Sequence, residues 1–233
     1  MAIVYSVVEV GAAPVQTVVN GVEVLTLDVQ IPLKEPIPLQ LRSRVSGSSA
    51  ELLRKQQPSS RLFITGVITL EKAGQQDLAV VDVSVVAIAP PEMFLNEVIV
   101  VGNFGKAATV SDSGKSVRRS MAIDKLVRNN GKTEKATDWF TVRAYKGKEE
   151  KETSLMNRLE QAPNGSTIEI TGVLTPRSNQ EKTNTWVEVH ARSLKVHKRS
   201  NGKPTPVPAE AAASVAGYDE EDFHQNDDVP MDW

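Results

Sequence analysis

"FITGVIT" at residues 63–69 returns as "EITGVLT" at 169–175, 106 positions later. Self-similarity at a fixed offset marks a duplicated unit, and sliding the chain by 106 extends the match without a gap. "VVDVSVVAI" (80–88) falls on "WVEVHARSL" (186–194), which sets Val81, Val83, Val85 and Ile88 against Val187, Val189, Ala191 and Leu194. Upstream, "SSAELLRKQQP" (48–58) lies opposite "TSLMNRLEQAP" (153–163), and both segments read as short helices. Ser48 with Glu51 makes a capping box for the first, and Thr153 or Ser154 can cap the second. Further upstream the offset drifts. It is 115 where "VLTLDV" (24–29) meets "WFTVRA" (139–144), and 91 where "VEVGAAP" (8–14) meets "IVVGNFG" (99–105).

Changing offsets mean loops of different length between matching strands, which loops tolerate. Each unit then reads strand, strand, strand, short helix, strand, strand. That is the order of an oligonucleotide/oligosaccharide-binding (OB) barrel. The fold expected is all-β with short helices: two tandem five-stranded OB-fold barrels over 1–91 and 92–198, then a tail over 199–233. The tail is rich in Pro, Ala, Gly and acid, buries too little to fold alone, and is expected to be disordered. The alternative is two unrelated β domains that share a chance "ITGV".

A chain of 233 residues accommodates two domains of about 100. It contains no cysteine, so disulfide frameworks and thiolate metal sites are excluded. "MAIVYSVVEV" carries Glu9 and no basic leader, a poor signal peptide. No apolar run approaches the roughly 18 residues of a membrane span. A soluble, cytoplasmic protein with no membrane partner is the expectation.

A net charge of −2 conceals three regions of different charge. Residues 1–91 hold 7 basic and 8 acidic side chains, and residues 92–203 hold 20 basic and 13 acidic. The last thirty residues hold eight acids and no Lys or Arg. A basic second half points to a polyanion partner. The aromatic residues follow the charge: Tyr5 and Phe63 in the first unit, against Phe94, Phe104, Trp139, Phe140, Tyr145 and Trp186 in the second.

"WFTVRAY" (139–145) carries the chemistry. Alternation puts Phe140, Val142 and Ala144 on one face of a strand, and Trp139, Thr141, Arg143 and Tyr145 on the other. The first set is a barrel interior. The second interleaves rings with a cation, as sequence-tolerant single-strand binding requires, and each ring can contribute about 1–3 kcal/mol by stacking on a base. Matched against 24–30, the outer set of the first unit becomes Val24, Thr26, Asp28 and Gln30, so that copy keeps the barrel and loses the platform. The competing reading of Trp139 and Tyr145 is that they cover core or an oligomer interface. Trp186 shares a face with Glu188, His190 and Arg192, and both interface packing and base stacking remain open for it.

Other motifs carry less. "GKS" (114–116) lacks the upstream glycine of a phosphate loop, since position 109 is Thr, and "SDSGKS" reads as a hairpin turn. His190, His197 and His224 have no metal-ligand spacing, so no metal or cofactor is expected. No nucleophile–base arrangement or paired carboxylates mark an enzyme. "KGKEEKE" (146–152) reads as a solvated loop.

"NEVIVVGNFGKAATVSDSGKSV" (96–117), "TDWFTVRAYKG" (137–147) and "STIEITGVLTPR" (166–177) resemble the opening, central and post-helix strands of the bacterial single-stranded-DNA-binding proteins, in a form with two OB-fold domains per chain. The resemblance covers roughly 96–197, and reaches 1–91 only through the internal repeat. It implies that Trp139 and Tyr145 stack on bases. Arg143, Thr141, Arg118, Arg119, Lys106, Phe104 and Trp186 complete the nucleic-acid-binding set, with the cations on phosphates. It also implies a homodimer giving four barrels, with the first barrel as an assembly module, and a nucleoid-associated role in replication, recombination or repair. The tip "NDDVPMDW" (226–233) resembles the family's acidic, apolar ending that recruits replication and repair enzymes, through Asp227, Asp228, Val229, Pro230, Met231, Asp232 and Trp233. It departs from the usual Pro-Phe ending. The family's aromatic positions near the end of the second strand and after the fourth have no match in "SMAIDKLVRNNG" (120–131) or at Ser178 and Asn179. An RNA-binding or replication-accessory protein and an oligomeric interaction scaffold are the rival expectations.

Overall fold

The computed structural model describes residues 1–73, 76–129, 132–147, 154–178 and 185–198. The tail over 199–233, with its expected partner-binding tip, lies outside the described residues. The first half runs β1 (Ala2–Val10), β2 (Val15–Val19), β3 (Val22–Ile31), β4 (Ile37–Arg44), α1 (Ser48–Arg54), β5 (Arg61–Ala73) and β6 (Gln76–Ile88). The second runs β7 (Asn96–Phe104), β8 (Thr109–Val110), β9 (Ser116–Asn129), β10 (Lys132–Tyr145), α2 (Leu155–Gln161), β11 (Thr167–Ser178) and β12 (Thr185–Lys198). Apart from the short β2 and β8, which pair along β3 and β9, each half has five principal strands with a helix before the fourth. The two tandem OB-fold barrels are therefore present. Each closes by a parallel pairing, β4 with β6 and β10 with β12, and by a short antiparallel one, β1 with β3 and β7 with β9.

Period-two alternation builds both interiors. Leu39 and Leu41 on β4, and Phe140, Val142 and Ala144 on β10, are buried. Each Leu, Phe or Val side chain so removed from water stabilises the fold by about 1.5–3 kcal/mol. The helices plug the barrels with Ala50 and Leu53 in one and Met156 and Leu159 in the other. Ser154 caps α2, its hydroxyl accepting from the Asn157 N–H at 3.3 Å. The capping box expected at Ser48 is absent: Gly47 holds that position and no side chain caps α1. "SDSGKS" is the β8–β9 turn, closed by the Gly114 N–H donating to Ser111 O at 2.8 Å.

The repeated "ITGV" has a steric cause. Both barrels carry a bulge at this place, between Thr65 and Gly66 and between Thr171 and Gly172. A Cβ on Gly66 would fall well inside contact of the Asp82 carbonyl oxygen, and one on Gly172 inside that of His190. Only glycine lets the two backbones approach this closely.

The bulges also pin the alignment of the two barrels, and correct the offsets read from sequence. Ile68 pairs with Val81 and Leu174 with Val189, so Val81 corresponds to Val189, not Val187. The β11–β12 hairpin is two residues longer than its counterpart. The larger correction concerns β10. Leu41 is set parallel to Val81 and Val142 to Val189, which makes β4, not β3, the counterpart of β10. Pro38, Gln40, Arg42 and Arg44 thus stand where Trp139, Thr141, Arg143 and Tyr145 do. The first barrel lacks the rings, as expected, but it keeps the central arginine. By the same pairings Leu27 corresponds to Arg119 and Val10 to Phe104.

The barrels join through their first strands. β1 and β7 run antiparallel with Val4 opposite Val98, and these two are equivalent positions, so the junction has a pseudo-twofold centre. Six strands, β6-β5-β1-β7-β11-β12, form one continuous stretch of sheet across it.

Candidate nucleic-acid interface

β10 places its odd-numbered side chains outward as the alternation demands: Trp139, Thr141, Arg143 and Tyr145 are all half-buried, between buried Phe140, Val142 and Ala144. Neighbouring strands extend the face. Arg118 and Ser120 flank it on β9, and Trp186, Glu188 and His190 on β12, with Thr141 beside Glu188 and Arg143 beside His190. A concavity of about 170 Å³ opens at one end, with Lys106, Arg118, Thr141, Trp186 and Glu188 among its walls. Five residues expected from sequence to act together are thus brought to one surface with Tyr145, and Lys106 reaches it from the β7–β8 loop. The benzo edge of the Trp139 indole lies against Gly105, where any Cβ would collide with it.

Arginine, glutamate and tryptophan side chains are knitted together on this face. Arg143 Nε donates to Glu188 Oε2 at 2.8 Å and its Nη2 to Oε1 at 3.3 Å, while Nη1 reaches Ser116 Oγ at 3.4 Å. Trp186 Nε1 donates to Glu188 Oε1 at 3.3 Å, and Arg177 Nε stands 3.4 Å from Oε2. Arg177 Nη2 also donates to the Tyr145 hydroxyl. Burial alone would push the Glu188 carboxyl up, but Arg143, Arg177 and the Trp186 N–H outweigh it and hold the group below the usual carboxylate range. His190 meets the Tyr145 ring edge-on, with centroids 4.6 Å apart. Burial, and then Arg177, Arg192 and Arg143, lower its pKa, so the imidazole is neutral at neutral pH.

Two expected members of the set are buried. Phe104 is 1% exposed and faces the barrel interior, in register with Val98 and Val100. Arg119 is 2% exposed and points inward between Val117 and Met121. Its guanidinium sits 4.2 Å over the Phe104 ring. It donates to Lys106 O at 2.8 and 3.2 Å, to Leu159 O at 3.2 Å, and to Ala162 O and Asn164 Oδ1. Desolvation lowers its pKa to about 10. Arg119 therefore ties the β7–β8 loop to the end of α2 from inside, and it also lines the concavity beside Lys106 and Arg118. Parity could have shown this: adjacent Arg118 and Arg119 must face opposite ways on a strand, and Met121 and Ile123 fix which way is in. Conversely, Arg177 and Glu188 stand at the centre of this cluster; sequence places Glu188 only as a neighbour of Trp186 and does not single out Arg177, because their meeting spans two strands.

The fold and this face together define a two-barrel protein with an aromatic and cationic strand on one barrel. Comparison with solved structures gives the same architecture. The crystal structure of the wild-type single-stranded DNA binding protein from Thermus aquaticus matches with a TM-score of 0.56 at 18% identity, over 90% of this chain and 98% of that one. A deletion mutant of that protein matches at 0.55, also at 18% identity, over 90% of this chain and 98% of its own. The Plasmodium falciparum SSB in complex with ssDNA covers 48% of this chain and 100% of its own, at 16% identity and a TM-score of 0.37. No family model and no curated protein matches the sequence. No helix among the described residues is long and apolar enough to cross a membrane.

Proposed function

We propose that this protein binds single-stranded DNA without marked sequence preference and without catalysing a reaction, protecting it during replication, recombination or repair. The observation that carries this is the outward face of β10, with Trp139, Thr141, Arg143 and Tyr145 in a row beside Trp186, in the half of the chain with excess positive charge. Rings supply base stacking, and Lys106, Arg118 and the arginine cluster supply the field for phosphates. The second barrel is the binding domain. The first is an assembly module: on the continuous six-stranded stretch, Ile3, Tyr5, Phe63, Val67 and Ile99 share the outer face, and Val67 is 37% exposed. Covering that face with a second copy gives a homodimer of four barrels. The tip Asp227–Trp233 recruits replication and repair proteins.

Titration with oligothymidine, following tryptophan emission at low and high salt with duplex DNA as control, tests the reading. Quenching by the single strand alone is expected, with Trp139→Ala weakening binding about 5- to 150-fold, the equivalent of one stacked base. No binding at either salt would remove the proposal and leave the scaffold reading. A preference for oligouridine in competition would favour RNA instead.

A further inference from the structure

The two barrels spend their central arginine differently. In the first, Arg42 is paired bidentately with Glu71 on β5, both contacts 2.9 Å. The position of Glu71 is occupied in the second barrel by Arg177, and that of Val80 by Glu188. The acid has moved from the fourth principal strand to the fifth, and a second cation has taken its place. One carboxylate now serves two guanidiniums, where in the first barrel one guanidinium is bonded to Glu71 and also feels Asp82. Val80 shows that packing at this position needs no carboxylate.

The pairing within this group is unequal. Arg143 holds Glu188 with two hydrogen bonds and is 13% exposed. Arg177 Nε approaches the same carboxylate at 3.4 Å but makes no hydrogen bond there. Its Nη2 reaches the Tyr145 hydroxyl instead, at the edge of a ring in the proposed stacking row.

We infer that Glu188 locks Arg143 into the sheet and leaves Arg177, beside Tyr145, as the cation of this group that takes a nucleotide phosphate. This rests on the proposed single-strand binding and adds a division of labour to it. Glu188 is then a positioning residue that limits how many phosphates the face neutralises. Arg177 is a binding residue on β11, a strand outside the aromatic row.

The test is the salt dependence of oligothymidine binding by the full chain, for the wild type, Arg177→Gln and Glu188→Gln. Each phosphate contact on a single strand contributes about 0.7 to the slope of log K against log salt. Arg177→Gln is expected to make the slope shallower by about that amount. Glu188→Gln, which removes the carboxylate charge from beside Arg143, is expected to make it steeper by a similar amount. An unchanged slope in Arg177→Gln overturns the inference. So does an unchanged or shallower slope in Glu188→Gln with its thermal melt intact; should that variant fail to fold, the Arg177→Gln arm decides. Failure of the wild type itself to bind would strike the proposed function, a separate outcome.

Discussion

Leu27 and Arg119 occupy the same place in two copies of one barrel, and the copies solve that place in opposite ways. The first packs an aliphatic side chain 1% exposed. The second buries a guanidinium and satisfies it with Lys106, Leu159, Ala162 and Asn164 oxygens and the Phe104 ring. Similar divergence runs along the outer face, where Pro38, Arg44 and Glu71 stand against Trp139, Tyr145 and Arg177. The strand pairings are shared. What differs is which side chains close the barrel end and which cover the sheet, so a common scaffold has been separated from its use. A barrel tolerates this because pairing is carried by the backbone, while the barrel interior places no demand on the outward side chains.

The sharpest break in the comparison is Leu27→Arg. The Asn164 acceptor has Pro58 as its counterpart, so a guanidinium in the first barrel lacks part of the set that Arg119 enjoys. Leaving a buried charge uncompensated costs about 3–5 kcal/mol. Urea denaturation should show that loss, and an unshifted midpoint would mean the two barrel ends are more alike than their side chains.

A smaller effect separates two glycines. Gly105 corresponds to Gly11. Gly105→Ala drives a methyl into the Trp139 ring, whereas a Cβ on Gly11 meets only the Asp28 carbonyl group, its oxygen at an ordinary 3.4 Å. Gly105→Ala should shift Trp139 emission and weaken oligothymidine binding. Gly11→Ala should change stability by no more than about 0.5 kcal/mol and leave binding alone. Equal effects of the two would show that the Gly105 contact does not position the ring.

The smallest effect is in pH. His190 is held neutral in the folded protein by burial and by Arg177, Arg192 and Arg143, and Asp82 stands at its place in the first barrel. Below about pH 6.5 the unfolded chain binds a proton that the folded one refuses, so stability falls as pH drops through that value toward the lower folded pKa. The slope from this group is at most about 1.4 kcal/mol per pH unit. His190→Gln should remove it, and a pH profile identical to wild type would place the dependence elsewhere.

Much of the site was legible because a strand has only two faces. Alternation in "WFTVRAY" put Trp139, Thr141, Arg143 and Tyr145 together on the outside, where the structure has them. The same rule applied to β7 and β9 would have turned Phe104 and Arg119 inward. The register was harder. A slip of two residues along β12 keeps every side chain on its face, so Val187 and Val189 are equally good matches to Val81 by hydrophobicity. The swap of β3 for β4 survived for a related reason: both present Leu–x–Leu to the core.

The sequence by itself determined that the chain is duplicated, that each copy is a helix-plugged β-barrel, and that rings and positive charge gather in the second copy, because period and composition are local properties. Tertiary structure alone decided which strands correspond, that Arg119 is a buried clamp, and that Glu188 stands between Arg143 and Arg177. Those outcomes depend on strands distant in sequence meeting at one register, and on a carboxylate whose charge is felt only by the neighbours it meets there.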